Sequence, residues 1–195
     1  MKTVTSPKFV SRVDDERDYS SCLIATLGPA GTSSEFAARH ISDNVVLFES
    51  YELAARKVLD DPFNSVLLVA NAYQHVNHFY ISRNCRPAAA FFLDTPPYVL
   101  ASRNGLMPRL SDELRIATHA APAHLLATIL PHIFYETVDA ASTSRAAEIT
   151  AAGQTEVCLT TLPACLENQL IPIIVAGPIP MLWTIFSPEG VTDCA

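Results

Sequence analysis

Two hydroxyl-rich turns mark places in the sequence where an anion can be held. Leu27-Gly28-Pro29-Ala30-Gly31-Thr32-Ser33-Ser34-Glu35 sets two glycines and three hydroxyls where an apolar run gives way to a helical pattern. Backbone amides at a fresh helix N-terminus favour negative charge, and hydroxyls add donors. No lysine completes a nucleotide P-loop and the spacing is not GxGxxG, so a carboxylate suits this turn better than a polyphosphate. An ordinary capped helix would use the same residues. Ala141-Ser142-Thr143-Ser144-Arg145-Ala146-Ala147 opens a second helix in the same way, with three successive hydroxyls where a cap needs one. Two such turns facing one cavity would hold a small molecule with two carboxylates.

A third segment, Asn71-Ala72-Tyr73-Gln74-His75-Val76-Asn77-His78-Phe79-Tyr80, follows an apolar strand and is rich in donors and rings. His75 and His78 are three apart, but no Asp, Glu or Cys lies within the segment to complete a metal site, and neither a metal nor a cofactor is expected. His119 closes another apolar run, at a strand end where a general acid or a binding group is well placed. No GxSxG elbow is present to support nucleophilic hydrolase chemistry.

The remainder of the sequence restricts what these residues can serve. Of 195 residues, 49% are hydrophobic and only 17% charged, enough apolar material for a sizeable core and too little charge for a disordered chain. Thirteen Lys plus Arg against twenty Asp plus Glu give a net charge of −7 with no basic run, which argues against nucleic acid as a partner. Five cysteines, at 22, 85, 158, 165 and 194, form no CxxC pair, so a disulfide framework is not expected and a reducing, cytoplasmic compartment is. Residues 1–21 are polar, lack the apolar stretch of a signal peptide, and read as a flexible solvated arm. Asn168 to Pro188 carries no charge, but Pro172, Pro178 and Pro180 interrupt any spanning helix, and two buried strands are expected there instead of a membrane segment.

The elements that must position the candidate residues repeat a plan. Cys22 to Leu27 reads as a strand, a helix begins near Ser33, Val45 to Phe48 is a strand, Ser50 caps a helix through Leu59, and Val66 to Ala70 is a strand. The order then recurs: strand 114–118, helix 122–130, strand 134–138, helix 143–152 ending at Gly153, strand 156–160. Alternating elements with continuous apolar strands predict an α/β fold of two βαβαβ lobes with parallel sheets covered on both faces. The lobes are expected at residues 22–100 with 178–190, and at 101–177. Ala89 to Ala101 and Pro178 to Phe186 read as extended crossings. The cleft between lobes, where strand C-termini and helix N-termini gather, is the expected site.

Against this plan the motifs carry a family resemblance. Thr26 to Glu35 and Ser142-Thr143-Ser144-Arg145-Ala146-Ala147 resemble the opening motif and the second-lobe helix start of prephenate dehydratases, over about Leu23 to Pro188. The non-aromatising prephenate decarboxylases of bacilysin, aeruginosin and salinosporamide biosynthesis are more similar still. They share Gly31-Thr32-Ser33-Ser34-Glu35, Ala72-Tyr73, His78-Phe79-Tyr80, Asp94-Thr95-Pro96, Ser142-Thr143-Ser144 and Ile179-Pro180-Met181. The resemblance implies the catalytic-domain fold of the dehydratases, itself like type II periplasmic binding proteins. The Thr-Arg-Phe motif of dehydratases, whose Thr is taken to assist loss of the ring hydroxyl and whose Arg to hold a carboxylate, is altered: Ile185 follows Thr184. Their Pro-Ile-Glu-Asn segment is replaced by Ala70-Asn71-Ala72-Tyr73. The sequence ends without room for the small regulatory ACT domain, so feedback by phenylalanine is not expected.

The resemblance implies loss of CO₂ from prephenate with retention of the ring hydroxyl, giving a dihydro-4-hydroxyphenylpyruvate for a specialised, antibiotic-type amino acid. Gly31, Thr32, Ser33, Ser142, Thr143, Ser144 and Thr184 are then the substrate-binding candidates, the two helix starts taking the carboxylates. Tyr73, His78, Tyr80 and His119 are the candidates to orient the ring or supply the proton, with histidine favoured because its pKa lies near neutrality. Trp183 and Phe186 are candidates for either the cleft wall or the core. The resemblance admits a homodimer. A prephenate or arogenate dehydratase using Thr184 without the arginine, and a non-catalytic carboxylate-binding protein, are the alternatives.

Overall fold

Strands without a polar face need cover on both sides, and a computed structural model describing residues 9–11, 18–108 and 114–190 shows what supplies it. In chain order the elements are β1 (Phe9–Ser11), β2 (Leu23–Leu27), α1 (Ser33–Arg39), β3 (Val45–Phe48), α2 (Tyr51–Asp60), β4 (Ser65–Ala70), α3 (Val76–Tyr80), β5 (Cys85–Phe92), β6 (Tyr98–Ser102), β7 (Leu114–Thr118), α4 (Leu125–Ile129), β8 (Tyr135–Asp139), α5 (Thr143–Ala151), β9 (Val157–Thr161), α6 (Leu162–Glu167), β10 (Ile171–Gly177) and β11 (Leu182–Pro188). The chain divides into two units. The first holds the residues up to Gly28, Ser34–Thr95 and those from Pro180 on; the second holds Pro29–Ser33 and Pro96–Ile179.

The first unit is built on a six-stranded sheet of order β1-β5-β11-β4-β2-β3 and the second on a five-stranded sheet of order β10-β6-β9-β7-β8. Each contains a parallel trio joined through helices, β3-β2-β4 and β8-β7-β9. The sheets are α/β as expected but mixed, not parallel. Strand β11 runs antiparallel to β4 and β5, and β6 runs antiparallel to β9 and β10. A parallel neighbour needs a helical crossover within the unit, and these strands reach their sheets without one. Because β6 pairs wholly within the second sheet, the division falls between Thr95 and Pro96 and not at residue 100.

Alternation along the strands sorts side chains into two cores per sheet. In the first unit Ile24, Val66, Leu68, Phe91, Trp183 and Ile185 pack with Ala37 and Ala38 of α1. On the opposite face Ala25, Leu67, Val69 and Phe186 meet Tyr51, Ala54 and Val58 of α2 and Phe79 of α3. In the second unit Val99, Ala101, Ala117 and Cys158 pack against α5 and α6, while Leu100, Ile116, Val157 and Leu159 pack against Leu126 and Leu130 beside α4. Trp183 and Phe186 therefore belong to cores, and the Trp183 indole donates to the Leu93 carbonyl at 3.0 Å.

Several local expectations change. Residues 1–21 are not wholly a solvated arm, since β1 pairs along β5 and Tyr19 is buried in the first core. Cys22 is disulfide-bonded, although no disulfide framework is expected from the scattered cysteines; Cys85, Cys158 and Cys165 are free. Helix α4 is shorter than 122–130 because its approach closes as tight turns, with Leu125 and Leu126 amides donating three residues back. Short helices α3 and α6 were not expected. The second carries its own signal in Thr161, which caps it, followed by Pro163 in the first turn. Strand β11 is buried as expected of 168–188, but β10 is an edge strand with much of its length half-exposed or exposed. Among the described residues no helix is long and apolar enough to cross a membrane.

Trp183 is the only tryptophan in the chain. Trp183→Phe leaves the buried Leu93 carbonyl short of a donor and is expected to destabilise the fold by about 1–3 kcal/mol, read as a lowered midpoint in urea by circular dichroism.

Candidate functional site

In the second unit the structure brings the two hydroxyl-rich turns together. Ser144 Oγ donates to the Ala30 carbonyl at 2.8 Å, and Thr161 Oγ1 donates to the Gly31 carbonyl at 2.8 Å. These bonds pin the Pro29–Ser33 turn to α5 and β9. A planar trans peptide aims its N–H opposite its carbonyl, so the Gly31 and Thr32 amides face away from those two hydroxyls. Gly31 has φ +79°, a conformation that strains any residue with a side chain, and a Cβ there would also crowd Ala164 at 3.2 Å and displace the carboxylate end of Glu167.

The hydroxyls of the two turns divide into structural and available groups. Ser142 caps α5 by accepting from the Arg145 amide at 3.0 Å. Ser144 is committed to Ala30, and Ser34 pairs with the Tyr51 hydroxyl at 2.7 Å in the first unit. Thr32 is buried. Ser33 Oγ is buried without a hydrogen-bond partner at ordinary geometry, though the Tyr98 hydroxyl feels it: burial raises that phenol, with Ser33 opposing. Thr143 presents a carbonyl to Thr160 at 2.7 Å, and its own hydroxyl makes no hydrogen bond to a described residue. Three successive hydroxyls thus reduce to one available at the start of α5.

In the first unit the segment after β4 forms a compact polar cluster. Tyr73 donates to Glu52 at 2.8 Å; burial and the facing carboxylate push its phenol up to about 12. Burial works against the Glu52 carboxylate, but Tyr73, its own backbone and Ser50 hold it below the ordinary carboxylate range. The proton of Tyr73 is therefore held firmly. His75 and His78 stack with ring centroids 5.3 Å apart, both exposed. His78 also lines a pocket of about 200 Å³ whose exposed wall is mostly apolar, with Ala55, Val58, Leu59, Leu67 and Phe79, and which includes the Glu52 carboxylate, a poor host for a dianion. No group of three metal-ligating side chains gathers among the described residues.

Thr184 and Tyr80, 104 residues apart in sequence, meet at 2.8 Å. Asn71 joins them: Thr184 Oγ1 donates to Asn71 Oδ1 at 2.7 Å, and Asn71 Nδ2 donates to the Tyr80 hydroxyl at 3.1 Å. Sequence reasoning did not single out Asn71; its signal was a polar residue directly after a continuous apolar strand. Ile185, at the position of the missing arginine, is fully buried in the opposite core with Leu68, Phe91 and Trp183. A guanidinium there would be buried without a partner, at a cost of several kcal/mol by order of magnitude.

His119 is half-buried at the end of β7, in the second unit. Its Nδ1 accepts from the Ala121 amide at 3.3 Å, which leaves the neutral ring's hydrogen on Nε2. Burial lowers its pKa, with Asp139 opposing in part.

No family model matches the chain. The prephenate decarboxylase of Planktothrix agardhii (strain NIVA-CYA 126/8) is 32% identical over 188 residues, 89% of this chain and 91% of that protein. The prephenate decarboxylase of Bacillus subtilis (strain 168) is 31% identical over 184 residues, 87% of this chain and 88% of that protein. Among solved structures, a prephenate dehydratase from Arthrobacter aurescens in complex with L-Phe matches with a TM-score of 0.67 at 17% identity, over 87% of this chain and 61% of that one. The periplasmic binding protein BugD matches with a TM-score of 0.57 at 12% identity, over 90% of this chain and 77% of that one. The two structures establish the fold alone, and the chain spans less than two thirds of the dehydratase.

His119 is expected to titrate below 6.5 in the folded protein. The unfolded state then binds its proton first as pH falls, so stability declines from pH 6.5 toward the folded midpoint. NMR of the ring Cε1–H checks the midpoint, and His119→Gln should remove that component of acid lability.

Proposed function

Because the chain belongs to the prephenate decarboxylase family, we propose that it is a carbon–carbon lyase that removes CO₂ from prephenate without aromatising the ring. The observation that carries the reading is sequence identity of about 30% sustained over nearly nine-tenths of both chains. The product is a dihydro-4-hydroxyphenylpyruvate, suited to a specialised amino acid of the antibiotic type. The cytoplasmic setting read from the scattered cysteines, and the homodimer that the resemblance admits, belong to the same reading.

Prephenate carries a carboxylate and a pyruvyl group on one ring carbon and a hydroxyl across the ring. When the bond to CO₂ breaks, its electron pair enters the diene, and one proton must be taken up. A proton on the hydroxyl expels water and gives phenylpyruvate; a proton on a ring carbon keeps the alcohol. The enzyme's task is to hold both carboxylates and direct that proton.

In this reading the Gly31 and Thr32 amides with Ser33 receive one carboxylate, and the start of α5, through Thr143, receives the other. Ser142 and Ser144 support that site by capping α5 and by pinning the glycine turn. The firmly held proton of Tyr73 suits a positioning role, which leaves His78 and His119 as the proton sources. Tyr80 is then a candidate to orient the ring, and Thr184 a candidate to bind the substrate.

Incubation with prephenate should release CO₂ with an ultraviolet spectrum lacking the aromatic phenylpyruvate band. An aromatic product would favour a dehydratase, and binding without CO₂ release a receptor. Thr143→Ala removes a charge-assisted hydrogen bond and is expected to lower kcat/KM about tenfold to a hundredfold. Unchanged steady-state kinetics in that variant would remove Thr143 from the site.

A further inference from the structure

Asn71, Tyr80 and Thr184 form a closed ring of hydrogen bonds, and the direction of each bond can be worked out. Thr184 has one hydroxyl hydrogen, and it points to Asn71 Oδ1 at 2.7 Å. The 2.8 Å contact with Tyr80 must then be donated by the Tyr80 phenol to Thr184 Oγ1. Tyr80's oxygen in turn accepts from Asn71 Nδ2 at 3.1 Å. Both hydroxyl protons are consumed inside the ring. The second amide N–H of Asn71 can hydrogen-bond but does not transfer a proton near neutral pH.

The ring's position gives this consequence. Thr184 lies opposite Val69 near the C-terminal end of β4, and Asn71 follows that strand directly. Ligands of open α/β sheets bind beyond that strand edge. Thr184 is buried and Asn71 half-buried, while Tyr80 is 40% exposed, so the ring forms part of the surface at that edge.

We propose that Asn71 determines the reaction outcome by accepting the Thr184 proton, closing a ring that offers no acid to the substrate's hydroxyl. This rests on the decarboxylase reading above. Both routes break the same C–CO₂ bond and take up one proton from a solvent-exchangeable donor. They differ in whether that proton reaches the hydroxyl oxygen, which leaves as water, or a ring carbon, which keeps the alcohol in place. Asn71 is accordingly a positioning residue, acting through Thr184.

Removing different corners of the ring has different effects on its protons. Asn71→Ala takes away the acceptor and frees the Thr184 hydrogen. Tyr80→Phe leaves the Thr184 hydrogen on Asn71, and Asn71→Asp keeps an acceptor for it. With prephenate, the ratio of phenylpyruvate to dihydro product is expected to rise about a hundredfold or more in Asn71→Ala, the low end of what a positioned acid supplies. Tyr80→Phe and Asn71→Asp should keep the non-aromatic product whatever their rates. Three results overturn the proposal, each with the fold verified by circular dichroism: Asn71→Ala that stays wholly non-aromatic, Asn71→Ala that loses all turnover, or Tyr80→Phe that aromatises to the same extent. Wild-type protein that leaves prephenate intact or yields phenylpyruvate defeats the decarboxylase reading itself, independently of the variants.

Discussion

Strand β11 lies between β4 and β5 and is covered on both faces, so every side chain along it must satisfy one core or the other. Its alternation sends Trp183 and Ile185 to one side and Thr184 and Phe186 to the opposite side. That single constraint settles several features at once. Position 185 becomes an apolar position hostile to a cation. Thr184 can enter only with a hydrogen-bond partner, because a buried hydroxyl without one costs free energy. Asn71 and Tyr80, delivered by the end of β4 and by α3, supply it.

The same requirement for satisfied polar groups explains how the hydroxyl-rich helix starts are used. Ser142 and Ser144 serve the fold, one as a cap and the other as a tether to the glycine turn. Thr161 provides a second tether and also caps α6. Bonds accepted by the carbonyls of that turn fix its peptide planes. The hydroxyls most evident in the sequence are therefore partly scaffolding, and Ser33 and Thr143 are left without a hydrogen bond of ordinary geometry to a described residue.

The candidate groups differ in how their protons are held. Tyr73 is held by Glu52, and Tyr80 and Thr184 are engaged with each other and with Asn71. His119 differs from these hydroxyls in carrying a titratable ring. His119 lies in a half-buried setting that favours the neutral ring, with its hydrogen on Nε2.

Local signals in the sequence established the two βαβαβ cores, the Ser50 cap, the apolar strands and the positions of the two hydroxyl-rich helix starts. Each is decided by residues within a few positions of one another, and the observed elements follow those boundaries closely. The mixed sheets, the buried Tyr19 and the division at Pro96 depend on pairing between distant strands, which periodicity does not encode. The role of Asn71 was hidden for the same reason: its partner Thr184 is 113 residues away. A hydrogen bond's direction depends on where every competing donor and acceptor ends up. Residue types therefore determined which hydroxyls and amides were present, and tertiary packing alone decided which of their protons remained free to react.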